Sequence, residues 1–357
     1  MSALAVVAIG ATAQSTKQLA ASKANDYGVV YTLPKTAVDV TIEAQITVRQ
    51  PGEFYKYAKK YLNIDNPITA PSVTADIVSA TVTTHGVADQ EQRYLVTLKG
   101  GYAPYLVVGD DNLPLAINTE RTYRPAAVAL PQAKKAEPTP LETDAARQVI
   151  TEEMLQSNSS AKRAELAAQQ IYNLRQSRTD LITGQADVMP PDGQAMKIVM
   201  DNINAQEQAL MAMFVGTTSI STDVRTFTYM PDGDVADYVI ARISAVNGIT
   251  GSNDLSGFPV YMSMTETERG ELPLTDKGTP LPFPKGGVAY CIPGKARIDI
   301  TSQGRTLASS EVELSQLGVV YGMNPASFTD RKAPIYLIFN PATGAIATTG
   351  PATVAAQ

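Results

Sequence analysis

Between Val38 and Val48 the chain alternates. Val38, Val40, Ile42, Ala44, Ile46 and Val48 share one parity, with Asp, Thr, Glu and Gln between them. A period of two predicts a half-buried strand. Pro51 and Gly52 end it, and the run EFYKYAKKYLNI then sets Phe54, Tyr57, Ala58 and Tyr61 at helical spacing. This predicts an amphipathic helix, opened by Pro51 and lying on the sheet. Residues 73–87, 92–98 and 105–109 read as further strands.

Residues 124–144 carry four prolines and no period, which predicts an extended linker, because proline removes backbone donors from helix and sheet alike. Helical spacing returns in SNSSAKRAELAAQQIYNLRQSR, where Ala164, Ala167, Ala168, Ile171 and Leu174 form a stripe behind a Ser/Asn cap cluster. Gly184 supplies a left-handed stop. Pro190 to Gly193 start a second helix, whose stripe of Met196, Val199, Met200, Ile203, Leu210, Met213 and Phe214 ends at Gly216. Two such helices with a short connection predict an antiparallel hairpin.

From residue 217 short apolar runs alternate with turn signals, among them PDGD, SQG and PATG. This pattern predicts a β-sandwich or an open antiparallel sheet. The expected fold is therefore α+β: an N-terminal α+β unit over 15–123, the linker 124–144, a central helical hairpin over 145–216, a C-terminal antiparallel β domain over 217–350 and a frayed tail at 351–357. An outer-membrane barrel would want aromatic girdles and no helical hairpin in its middle.

Composition narrows the partners. A net charge of −6 and a pI near 5.0 leave no basic footprint for nucleic acid. No stretch after the first residues is apolar for 18 positions, so no transmembrane helix is expected. Residues 1–14 form an uncharged small-apolar run through Ala11-Thr12-Ala13, a small-x-small pattern of the kind a signal peptidase cleaves. That predicts export to the periplasm or outer membrane, and the missing basic n-region points to a start codon set too far downstream. No cysteine follows the run, so no lipid anchor is expected there.

Chemistry is sparse. There is one cysteine, Cys291, in a strand-like VAYCIPG, and one histidine, His85, in a turn-like TTHGVAD. Neither a disulfide framework nor a zinc site can be built from them, and a Cys–His dyad is the remoter reading. Arg175 and Arg178 stand one helical turn apart with Asp180 and Asp192 nearby. Two guanidinium groups aimed at one point suit a carboxylate or phosphate ligand, although charged clusters at helix ends more often brace structure. Asp232, Asp234 and Asp237 have the oxygen-rich look of a calcium site but lack the later bidentate glutamate, and an Asp-Gly hairpin turn explains them as well. The paired carboxylates Glu152 and Glu153, or Glu311 and Glu313, are candidates for a carboxylate hydrolase, with a solvated face as the plainer account. No cofactor motif is present.

The run QQIYNLRQSRTDLITGQADVMPPDGQAMKIVMDNINAQEQALMAMFVG, with YTLPKT and PGEFYKYAKKYLNI upstream, resembles a family of exported Bacteroidota proteins known as a domain of unknown function, numbered forty-eight thirty-one. The resemblance covers nearly the whole mature chain and implies an envelope protein. It brings no activity, cofactor or catalytic residue. The expected role is thus non-enzymatic binding or scaffolding with an envelope protein partner, the alternatives being a carboxylate hydrolase or a small-anion or peptide module built on Arg175 and Arg178.

Overall fold

The computed structural model describes residues 15–18, 28–97, 105–330 and 332–352; the expected leader 1–14 and tail residues 353–357 lie outside the described residues. Strands β1 (Ser15–Gln18) and β2 (Val29–Gln50) precede a short helix α1 (Ala58–Leu62) and the 26-residue strand β3 (Ser72–Thr97). A small hairpin follows, β4 (Leu106–Val108) and β5 (Pro114–Ile117). Next come helices α2 (Asp144–Gln148), α3 (Glu152–Gln156), α4 (Ser160–Thr183) and α5 (Gly193–Val215). Strands β6 (Thr217–Tyr229), β7 (Val235–Ser244), β8 (Gly248–Gly251) and β9 (Phe258–Glu268) lead to β10 (Val288–Ser302) and β11 (Arg305–Met323). A one-turn helix α6 (Ala326–Thr329) connects to β12 (Ile335–Phe339) and β13 (Ile346–Pro351).

These strands build three antiparallel sheets, ordered β1-β3-β2-β6, β11-β10-β9-β7-β8 and β13-β12-β5-β4. The α+β expectation is corrected here: the described residues are mostly β, about 44% strand and 23% helix, with a curled half-barrel and no central hairpin dividing two separate units. The decisive finding is the register of β2, which pairs with β3 on one side and, from Val38↔Tyr229 to Gln50↔Thr217, with β6 on the other. The sheet therefore takes strands from both sides of the helices in sequence. Likewise β12, near the C-terminus, pairs with β5. The helices do not stand as a middle unit but share one flank, where α2 to α5 pack with Phe54 and Ala58 around a single core. Periodicity is local, so it gives the type of an element and not its partner.

Three further expectations change. The strands read at 73–87 and 92–98 are parts of one strand, β3. The helix after Pro51 is only a 3-10 turn at Tyr55–Tyr57 followed by the five residues of α1. PDGD joins β6 to β7, which lie in different sheets, so it is a crossing rather than a hairpin turn. By contrast SQG does turn a hairpin, β10 to β11, with Gln303 and Gly304 both at positive φ (51° and 75°) as a tight two-residue loop requires.

The long strands hold two β cores together. Val38, Val40, Ile42 and Ala44 of β2 pack with Met262, Met264, Ile298 and Ile300 of the second sheet, while Tyr31 and Leu33 of the same strand pack with Phe328, Leu337 and Phe339. A straight strand of 22 residues would reach about 75 Å at about 3.4 Å per residue. Register shifts at Thr32/Pro34 and Glu43/Ala44 break the β2–β3 ladder into shorter, differently twisted pieces, which is how bulges let one strand serve two cores.

The near end of α5 is tied to the sheet. Phe54 N–H donates to the Met213 carbonyl at 2.7 Å, Ile68 N–H to the Val215 carbonyl at 2.9 Å, and the Phe54 and Phe214 rings meet at 5.5 Å. Gly52 permits this approach, since a Cβ there would sit 2.3 Å from the Met213 oxygen. All four buried residues of α5 (Ala209, Leu210, Ala212 and Phe214) lie in this near end. Toward the other end nothing in α5 is buried.

Candidate functional site

The arginine cluster lies where α4 and α5 run side by side. Arg175 Nε donates to Glu207 Oε1 and Arg178 reaches Glu207 Oε2, both at 2.6 Å, and Arg178 also donates to Asn204 Oδ1 at 2.9 Å. Glu207 is thus held by two guanidinium groups with its side chain only 12% exposed. Asp180 pairs with neither arginine; its carboxylate accepts from Gln176 Nε2 at 2.7 Å. Asp192 caps α5, accepting from the Gln194 and Ala195 backbone N–H groups at 2.8 Å each. The four residues are therefore distributed along the helix pair and are not aimed at one point. The sequence reading named the arginines but missed Glu207, because a partner 29 positions beyond Arg178 on another helix leaves no local pattern.

Asp234 accepts the Glu266 backbone N–H at 2.8 Å and ties the β6–β7 crossing to β9, and the Asp237 N–H of β7 donates to Ser263 Oγ of β9. Asp232 sits close enough to Tyr229 to help burial and Tyr238 push that phenol upward. Among the described residues no group of three or more His, Cys, Asp or Glu side chains is placed to hold a metal ion. Glu152, Glu153, Glu311 and Glu313 are exposed. The three cavities described carry one carboxylate each on their walls, Asp89, Asp76 and Asp111.

His85 lies within β3 and not in a turn. Its Nδ1 meets Asp39 Oδ2 of β2 at 2.5 Å, and the other Asp39 oxygen accepts from Thr228 Oγ1 of β6 at 2.6 Å. The chain of bonds crosses three adjacent strands, which is possible because Asp39 opposes Thr228 and lies diagonal to His85. With Asp39 on Nδ1, the neutral ring presents Nε2 as an acceptor and the protonated ring presents it as a donor. Gly86 shapes what lies beside it. A Cβ there would fall 2.0 Å from the Pro341 oxygen, so the glycine lets the Asn340–Ala342 turn dock on β3. Together with Asp111 and Leu113 of the β4–β5 turn and Tyr123 and Pro125 of the proline-rich segment, this turn encloses a cavity of about 360 Å³ against Thr84 and His85.

Cys291 lines a different cavity, of about 210 Å³, rimmed by the Lys35–Asp89 ion pair at 3.6 Å. Burial, helped by the Glu313 carboxylate, pushes its thiol up to about 12, the opposite of what a nucleophile needs. The structure does not bring Cys291 and His85 together as a dyad: each has its own cavity and its own partners.

Fold and site define a mostly β protein of three antiparallel sheets with a helical flank, having three described cavities where the sheets meet and no helix among the described residues long and apolar enough to cross a membrane. The chain belongs to the family described as Domain of unknown function (DUF4831), whose model matches residues 27–347. No curated protein and no solved structure matches it.

Proposed function

We propose that the protein is exported and works without catalysis, by binding a protein partner in the cell envelope through the far ends of α4 and α5. One observation carries this reading. At that end Ile182 (69% exposed), Val188 (83%), Met189 (42%), Ile198 (57%) and Val199 (36%) all face solvent. Single exposed aliphatics are ordinary, but five gathered about the α4–α5 connection mark a contact surface. Export is supported by the small-apolar run through Ala13, and a Bacteroidota envelope by the family resemblance. The arginines fit a supporting part: paired with Glu207, they hold the two helices in register behind the exposed end.

The test is a pull-down from gently solubilised envelope with tagged full-length protein and an Ile182→Ser, Val188→Ser, Ile198→Ser variant. The proposal expects a discrete partner retained by the parent and lost by a variant of unchanged melting temperature. Identical captures by both forms, or none by either, overturn it.

A further inference from the structure

The His85 cavity combines an apolar wall with polar groups that are fixed in place yet only partly used. Three of the polar side chains are each pinned by one contact. His85 is held through Nδ1, Asp111 Oδ1 accepts the Leu113 N–H at 3.1 Å, and Asn340 Oδ1 accepts the Ala342 N–H at 3.0 Å. Their remaining functions, the imidazole Nε2, the second carboxylate oxygen and the amide Nδ2, are unspent among the described residues. Leu113, Pro125, Pro341 and the Tyr123 ring supply the apolar wall. A cavity of this volume, mostly apolar with a few convergent polar groups, has the composition of a small-molecule site.

Charge and hydrogen-bond capacity choose the ligand class. The wall has a carboxylate, Asp39 stands behind His85, and among the described residues no Lys or Arg lines the cavity, so anions are disfavoured. A cation would use Asp111 but leave the Asn340 amide donor unmatched. Hydroxyl groups both donate and accept, and so can satisfy carboxylate, amide and imidazole together. We propose that this cavity binds a neutral saccharide, with the Tyr123 ring against an apolar face of the sugar and His85, Asp111 and Asn340 reading its hydroxyls.

His85 is the chain's only histidine, which makes its ring a single spectroscopic reporter of the site. The experiment follows the His85 imidazole resonances by NMR in full-length protein without a polyhistidine tag, titrated with glucose, galactose, N-acetylglucosamine and their disaccharides. Tetramethylammonium and phosphate serve as cationic and anionic probes. The expected result is a saturable shift with at least one sugar, at an affinity on the order of millimolar, weakened about tenfold or more in Tyr123→Ala. Tyr123 makes no hydrogen bond to the described residues, so that variant removes the wall without unpinning a turn. Calorimetry on His85→Gln, in which the reporter is absent, should show the same weakening. No shift with any sugar, a shift that survives Tyr123→Ala, or a response to tetramethylammonium or phosphate alone overturns the proposal.

Discussion

The two ends of the helix pair obey different rules. At the near end Phe214, Leu210 and Ala209 are buried against Phe54 and the short helices, Ala212 is buried too, and the backbone is bonded to the sheet's connecting segment. At the far end Ile182, Val188, Met189, Ile198 and Val199 face solvent, while Leu181 is buried and Met196 and Met200 are half-buried. The stripe is covered by degrees, with Leu210 and Phe214 buried at the near end and Met196, Met200 and Ile203 half-buried toward the far end, where Ile198 stands off the stripe in solvent. The near half is explained by folding, whereas the exposed residues of the far end carry the contact surface proposed above.

The sharpest way to break this contrast is truncation at each end. Phe214→Ala should cost about 3–5 kcal/mol by urea unfolding, because it opens a cavity among rigid neighbours. Ile198→Ser should stay within about 0.5 kcal/mol, as solvated surface positions do. Equal losses at both positions would mean that the far end is packed and is no partner surface.

Glu207 sits between the two ends and should give an intermediate effect. Glu207→Ala unpairs Arg175 and Arg178, and we expect a loss on the order of 1–2 kcal/mol, held down because both arginines are partly exposed. In a double-mutant cycle, removing the arginines as well should add little. Full additivity would show that the charges act independently and brace nothing.

A third contrast uses the β core as the reference region. Tyr31 is fully buried and donates to the Ala289 carbonyl at 2.9 Å; burial raises its phenol well above the usual 10. Its folded form therefore keeps the proton where the unfolded chain begins to lose it. That contribution is whole below pH 10 and is lost as pH rises beyond it. Tyr31→Phe should cost about 1 kcal/mol at neutral pH and flatten the alkaline decline in stability. The smallest effect belongs to Cys291: Cys291→Ala should leave partner capture unchanged, and the folded parent should resist alkylation at pH 8. Rapid labelling of the native thiol would show that its cavity opens.

These contrasts also show what the sequence made legible. The caps of α4 and α5, with Ser159, Gly184, Asp192 and Gly216 at their boundaries, follow from local chemistry and were readable in the sequence. So was the buried face of β2 from Val38 to Ala44, although Ile46 and Val48, read on the same face, are only half-buried. The pairing of β2 with β6 was not, because it joins segments whose alternation would suit many partners. His85 was misplaced for a similar reason: Thr-Thr-His-Gly reads as a turn until Gly86 is seen to make room for the Pro341 carbonyl, a contact about 255 positions away. Candidate chemistry resting on neighbours in sequence, such as Arg175 with Asp180, turned out to be divided among other partners.

The β2–β6 register also sets a clock on synthesis. About 170 positions separate Gln50 from Thr217, the pair at the end of that ladder. At about 5–20 residues per second the nascent chain waits roughly 10 to 35 s between finishing β2 and starting β6. During that interval one margin of β2 has backbone groups with no ladder to join, so the newborn chain has reason to be escorted by a holdase until β6 emerges.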